Sequence, residues 1–307
     1  LIKAFVGFKL ARLCPFIESC DFLVGETTCD GKKKAYEILD EYKPTYTMEI
    51  PQMKRAADRA LWKAEMVRFK EMVEERCGKI TPEALSAAIK MVNERRRSLQ
   101  RLARLRAADP APISGRDALL INQIAFYDDP PRLTARVNEL CDQLEARIRA
   151  GEGVANGAVR VLVSGCPMAV PNWKLPYVVE SAGAVIVGEE SCIGERGTRD
   201  LVAEDGASVE EMLERLVDRY MKIDCACFTP NPERLDHIVE LARRLKAAGV
   251  IHYSLQFCGP YTTEAYKVEK RLEAEGLPLL KLETDYSLED VEQLKTRVEA
   301  FVEVLKG

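Results

Sequence analysis

Histidine is scarce in this chain: His237 and His252 are the only two among 307 residues. A zinc site of the mixed Cys/His kind therefore has few donors to draw on. No apolar run reaches the roughly 20 residues a helix needs to cross a bilayer, so no membrane span is expected. Charge of one sign is lacking too. With 45 basic against 49 acidic residues the formal net charge is -4, which points away from nucleic acid or an anionic membrane as the main partner. Nucleotide signatures are also missing. Gly25 to Lys33 (GETTCDGKK) is one residue too long for a phosphate-binding loop and has no Ser or Thr after Lys32. The stretch from Gly188 to Gly197 is no dinucleotide fingerprint, and Cys225-Ala226-Cys227 is not the Cys-x-x-Cys of a thioredoxin-type redox pair. The start, LIKAFVGFKLARL, scatters lysines through its apolar residues, unlike a signal peptide. It opens on Leu1 rather than methionine, and the expectation is a chain that begins part-way through a longer protein.

Cysteine is what the chain has in excess: ten, without a secretory pattern to explain them as disulfides. In a reducing cytosol that leaves buried small hydrophobes or a thiolate site, with iron–sulfur chemistry the natural candidate for the latter. With 47% hydrophobic residues the chain is long enough to build its core without disulfides.

The positions of the cysteines separate the two readings. Asp21 to Gly25 reads as a short strand, followed by a turn carrying Cys29 and a helix with Asp30 as its expected N-cap. A cysteine there sits where the helix dipole favours a thiolate. Thr45 to Ile50 reads as a second strand, and Gln52 to Cys77 as a helix ended by Gly78. Thr81-Pro82 opens a helix to about Ala107, whose Arg95, Arg96, Arg97, Arg101 and Arg104 are expected to form a solvated face. Helices follow from Ser114 or Asp117 to Phe126 and from Arg132 to Ala150. Gly151 to Gly157 is the expected domain boundary, giving residues 1–150 and 151–307.

After it the rhythm becomes strand–helix. Strands are expected at Ala158–Ser164, Ala184–Gly188, Val250–Phe257 and Leu277–Glu283. Helices are expected at Leu175–Ala182, Ser208–Tyr220, from Pro232 to Ala248, at Thr263–Glu275, and from Ser287 to Leu305. Such alternation implies a parallel, doubly wound α/β sheet. Cys29, Cys166, Cys192 and Cys258 each follow the carboxyl end of a strand, while Cys225 and Cys227 lie in a loop before a helix. In a parallel sheet all carboxyl ends face one way, so these residues can converge on a shared metal or cluster. Cys77 and Cys141 read as structural, and Cys14 and Cys20 as ambiguous. Glu26, Glu189 and Glu190 sit near the proposed site as candidate proton carriers, against the expectation that turn glutamates are simply solvated. His237 reads as a helix-surface residue.

At ETTCDGKKK (Glu26–Lys34), EESCIGER (Glu189–Arg196), CACFTPNPER (Cys225–Arg234) and QFCGPY (Gln256–Tyr261), the sequence resembles the 2-hydroxyacyl-CoA dehydratase and benzoyl-CoA reductase superfamily, over essentially its whole length. It looks closest to the double-cubane-cluster anaerobic reductases. The resemblance implies two doubly wound parallel-sheet (Rossmann/flavodoxin-like) α/β domains with a helical connecting region and an iron–sulfur cluster between them. In the dehydratases a single [4Fe–4S] cluster is held by three cysteines. Cys29 matches the second of these and Cys258 the last; the remaining one falls just before Leu1, so that either an N-terminal segment is missing or that ligand is absent. The double-cubane branch carries an [8Fe–9S] cluster and needs more thiolates, for which Cys166, Cys192 and one of Cys225 or Cys227 are the candidates.

The function so implied is a cytoplasmic reductase, expected as a homodimer. It would receive low-potential electrons from a separate ATP-hydrolysing iron–sulfur activator protein and reduce a bound small molecule. A [4Fe–4S] subunit of a 2-hydroxyacyl-CoA dehydratase is the alternative, and a non-catalytic cluster-binding protein the third reading.

Overall fold

The structure, a computed structural model, describes residues 2–169 and 172–307. The chain begins with α1 (Ile2–Leu10), α2 (Pro15–Ser19), β1 (Leu23–Glu26), α3 (Asp30–Asp40) and β2 (Thr45–Met48). Four longer helices follow: α4 (Ala56–Cys77), α5 (Pro82–Leu105), α6 (Gly115–Ile124) and α7 (Pro130–Arg149). Next come β3 (Val159–Gly165), α8 (Lys174–Ser181), β4 (Ala184–Glu189), α9 (Glu195–Thr198), α10 (Val209–Tyr220) and α11 (Pro232–Arg244). The chain closes with β5 (Gly249–Leu255), α12 (Gly259–Ala274), β6 (Leu279–Thr284) and α13 (Val291–Lys306).

Two compact units result. The first comprises residues 1–85, 205–221 and 227–230; the second comprises 86–204, 222–226 and 231–307. The division falls inside α5, and the glycine-rich stretch 151–157 lies within the second unit, between α7 and β3.

In the first unit β1 and β2 pair in parallel, from Leu23 opposite Thr45 to Glu26 opposite Met48. The connecting α3 crosses over them so closely that a Cβ at Gly25 would lie 2.3 Å from the Tyr36 ring, which only glycine avoids. Helix α4 starts at Arg55, whose N–H donates to Asp58 Oδ2 (3.1 Å), and stops at Gly78 with φ 92°. It packs on α10, where Arg59 bonds both Glu214 and Asp218 at 2.6 Å. Buried Trp62 lies near Tyr220 and stacks on Phe228, with ring centroids 6.2 and 6.4 Å away.

In the second unit the strands are parallel in the order β4-β3-β5-β6. β3, β4 and β5 are buried along their full length, because helices cover both faces. Val161, Val163, Ile186, Ile251 and Tyr253 face α8 and α13 through Val178, Val179, Val298 and Phe301. Leu162, Val185, Val187 and Val250 face α11 and α12 through Ile238, Leu241, Val268 and Leu272. The expected parallel α/β sheet is therefore present here. From β3 the chain steps to β4 on one side and then crosses to β5 on the other. In sheets of this kind such a reversal marks the crevice where ligands gather, here beyond the carboxyl ends of β3 and β5.

Several local expectations are corrected. Cys29, not Asp30, is the N-cap of α3, and Asp290, not Ser287, caps α13. The Ser287 N–H is instead taken by Asp285 Oδ1 at 2.8 Å in a local turn. The helix expected to reach Ala248 ends at Arg244, and Lys246 turns to φ 52°. The arginines of α5 are not a free solvated face: Arg96 is buried, Arg95 donates to the Ala125 carbonyl, and Arg101 pairs with Asp142 and Glu145.

Candidate functional site

Cys166 is fixed by the two central strands of the second unit. Gly165 adopts φ 110° and passes so close to β5 that a Cβ would sit 2.1 Å from the Tyr253 carbonyl oxygen. The Cys166 N–H donates to that same oxygen at 2.8 Å, and its Sγ accepts from the Leu255 N–H at 3.4 Å. Cys258 arrives from the other strand as the N-cap of α12, with its N–H on the Leu255 carbonyl at 3.0 Å. Phe257, between them, takes φ 67° and is 94% exposed.

The two thiols meet at the crevice. The Cys166 and Cys258 thiols share a hydrogen bond, and the Cys258 sulfur also accepts the Tyr261 N–H near the start of α12. The bond with Cys166 lowers the Cys258 thiol below its usual range despite desolvation, and the same bond, with burial, raises Cys166. Cys258 is thus the more readily ionised sulfur of the pair.

Cys225 is within electrostatic reach of this pair, and Cys192 of Cys225. Cys225, half-buried, lies with Sγ 3.7 Å from the Tyr261 hydroxyl and is felt electrostatically at Cys258. Cys192, on the turn after β4, is exposed yet hemmed in by protein atoms. Desolvation raises its thiol, Arg196 opposes this, and the nearby Cys225 adds to it. Among the described residues no three Cys, His, Asp or Glu side chains stand in a ready metal-binding arrangement.

Cys29 and Cys227 belong to the first unit. Each is half-buried. Cys29 follows β1 at the N-terminus of α3, beside Glu26, which pairs with Lys32 at 3.0 Å. Cys227 opens a short segment held by the Thr229 N–H on the Gln52 carbonyl at 2.9 Å. Of the cysteines read as structural, Cys141 is fully buried and its thiol is pushed up to about 11 by desolvation, but Cys77 is exposed at the end of α4. Cys14 and Cys20 flank α2, both half-buried.

Behind the sulfurs lies a buried ionic network that sequence reasoning missed. Glu189 and Glu190 are not solvated turn residues but are 1% and 0% exposed. Glu189 is clasped by Arg106 at 2.6 and 2.9 Å. Glu190 pairs with Arg196 and, at 3.1 Å, with Arg234, and accepts from Ser164 Oγ at 3.0 Å. Desolvation opposes its ionisation, but the two guanidinium groups overcome that and hold it well below the usual carboxylate range. A carboxylate so held is a poor proton donor and a good brace. Asp224 joins Arg196 at 3.0 Å to Arg199 at 2.9 Å, and Glu264 pairs with Arg234. His237, expected on a helix surface, is buried, and desolvation lowers its pKa below the usual histidine value. The signal was present: Glu190, Arg196, Arg234 and Tyr261 all fall inside the segments that carry the family resemblance.

The chain matches the family described as 2-hydroxyglutaryl-CoA dehydratase, D-component, over residues 1–305. It is 39% identical over 312 residues to a putative dehydratase subunit, YjiM, of Escherichia coli, covering 99% of this chain and 79% of the relative. It is 28% identical over 283 residues to the (R)-phenyllactyl-CoA dehydratase beta subunit of Clostridium sporogenes, covering 90% and 73%. With the beta subunit of (R)-2-hydroxyglutaryl-CoA dehydratase from Acidaminococcus fermentans, identity is 24% over 302 residues, covering 94% and 77%.

Proposed function

The chain belongs to the 2-hydroxyglutaryl-CoA dehydratase D-component family, and from that premise we propose that it is the iron–sulfur subunit of an anaerobic reductase holding an [8Fe–9S] double-cubane cluster. What supports the reading is the contact of Cys166 with Cys258 beyond the carboxyl ends of β3 and β5, with Cys225 within electrostatic reach of both Cys258 and Cys192. The donor set suits such a group. It is all sulfur, one member is biased toward the thiolate, and α12 presents its N-terminus to it. Cys29, at a helix N-terminus of its own, and one of Cys225 or Cys227 are the further ligands of this reading. When bound, such a cluster takes up and releases single electrons at low potential.

The chain's own residues do the rest. Gly165 and the Leu255 N–H hold Cys166 at a fixed position, and the buried Glu190–Arg196–Arg234 brace keeps the crevice wall rigid and places cationic groups behind the sulfurs. The same reading includes two doubly wound domains, a homodimer in the cytoplasm, and an ATP-hydrolysing activator protein as electron donor to a bound small molecule.

The names of the relatives favour a second reading, a [4Fe–4S] subunit of a 2-hydroxyacyl-CoA dehydratase. A single cubane has less use for four sulfurs in one unit, which is why the first reading leads. Iron and acid-labile sulfide counts on anaerobically purified protein decide between them. About eight irons per chain is expected, about four would install the dehydratase reading, and none would remove both.

A further inference from the structure

The hydroxyl of Tyr261 lies at the junction between the sulfurs and the buried ionic network. Tyr261 is 5% exposed, and its oxygen has two partners among the described residues: Arg196 Nη1 at 2.7 Å and Cys225 Sγ at 3.7 Å. Arg196 is a guanidinium and can only donate, so the Tyr261 oxygen accepts there. Its own proton then has the Cys225 sulfur as its acceptor. The opposite sense, with the Cys225 thiol donating, would leave the buried hydroxyl proton without a partner, which is costly. The direction is therefore settled by the arginine: Arg196 to Tyr261 to Cys225.

Arg196 does more than fix the direction. It is 2% exposed and fully charged, anchored by Glu190 and Asp224, and its guanidinium lies 6.0 Å from the Tyr261 ring. Arg234 approaches the same ring at 5.0 Å. A phenol that accepts from a cation becomes a stronger donor through its remaining proton. The phenol is itself locked in place, since α12 begins two residues earlier and the Tyr261 carbonyl meets His252 Nε2 at 3.2 Å.

We propose that Tyr261, polarised by Arg196, is a positioning residue that donates a hydrogen bond to the Cys225 sulfur and thereby sets the reduction potential of the iron–sulfur group bound there. This rests on the cluster reading given above. A hydrogen bond to a ligand sulfur stabilises the more negatively charged, reduced state over the oxidised one, so it raises the potential. The side chain of Tyr261 is thus tied to electron uptake, and Arg196 acts on the Cys225 sulfur through it.

Two variants of the full chain, purified anaerobically, test this. Tyr261→Phe keeps the ring and removes the hydroxyl. Replacing Tyr261 by 3-fluorotyrosine keeps the hydroxyl and makes it a stronger donor. Iron and sulfide are counted first, and the midpoint potential is then read by redox titration of the visible and electron paramagnetic resonance spectra. The expected result is unchanged iron, a more negative potential in Tyr261→Phe and a less negative one with fluorotyrosine. A merely structural tyrosine would not give shifts of opposite sign. Should Tyr261→Phe fail to fold, the fluorotyrosine arm decides alone. Iron present with an unmoved potential overturns the role of Tyr261 and leaves the cluster reading standing. No iron in the wild type overturns the cluster reading, and this inference with it.

Discussion

At the scale of single residues, the site is governed by which polar groups lose water and what they receive in exchange. Glu190 gives up all contact with solvent yet stays charged, because Arg196 and Arg234 both reach it. His252 gives up as much and receives less. Its Nε2 faces the Tyr261 carbonyl, which can only accept, so Nε2 carries the proton, and the buried Nδ1 has no partner among the described residues. Burial, followed by the nearby Arg234 charge, brings its pKa from 6.5 down to about 4. The unfolded chain therefore binds a proton on this ring between those two values while the folded chain does not, and stability falls as the pH falls through that window. The full difference is worth about 3 kcal/mol and is complete near pH 4. Urea denaturation of wild type and His252→Gln at pH 7.5 and pH 5 measures it. The wild type should lose more stability on acidification than the variant, which keeps an N–H for the Tyr261 carbonyl. Equal losses would mean that the ring is not held neutral.

At the scale of elements, what could be read in advance depended on how local its cause was. β3, β4 and β5 were legible because burial on both faces leaves apolar runs such as Ala184 to Val187. Helix α9, of four residues with no apolar repeat, left no such trace. Glu189 and Glu190 were misread as turn residues because their partners lie far away in sequence, Arg106 before them and Arg234 well after. His237 shares the cause: periodicity marks which face it occupies, but not that Arg199 and the network cover that face. Of the cysteines only their places at strand ends were legible, whereas the contact of Cys166 with Cys258 depends on how closely β3 approaches β5. Gly165 permits that approach, and a matched pair of substitutions isolates its worth. Gly165 and Gly183 both have positive φ, at 110° and 82°. A Cβ at Gly183 meets nothing within 4 Å, while one at Gly165 meets the Tyr253 oxygen at 2.1 Å. Gly183→Ala should cost about 1 kcal/mol for the backbone alone. Gly165→Ala should cost at least a further 1–3 kcal/mol or so, because backbone must move. Denaturant midpoints of the two variants give the difference, and equal midpoints would show that the strands are not in close approach there.

At the scale of the whole molecule, the question is what the glycine-rich stretch 151–157 separates. Its composition suggests a hinge between halves, but its surroundings argue otherwise. The Val154 N–H donates to the Ala111 carbonyl at 2.9 Å, and Gly153 lies so near Pro110 that a Cβ would come within 2.5 Å. The chain before it is bound to the sheet after it. Arg106 donates to the Ile186 carbonyl at 2.7 Å and to Glu189, and Arg160 of β3 reaches back to the Arg106 and Ala108 carbonyls at 2.9 and 2.8 Å. The Gly115 N–H at the start of α6 donates to Glu180 at 2.6 Å. Helix α7 in turn packs Leu133, Val137, Cys141 and Leu144 against Leu99 and Leu102 of α5. The connector helices thus share their buried polar contacts with the sheet that follows, and breaking one peptide bond in 151–157 removes none of them. A protease site placed between Gly151 and Gly157 and cut under native conditions should leave both pieces eluting together from a sizing column at the position of the intact 34.5 kDa chain. Denaturing gels should show them separate, and thermal unfolding should remain a single transition. Two species released without denaturant would mean that these contacts are too weak to join the pieces, and that the boundary at residue 150 is a physical one.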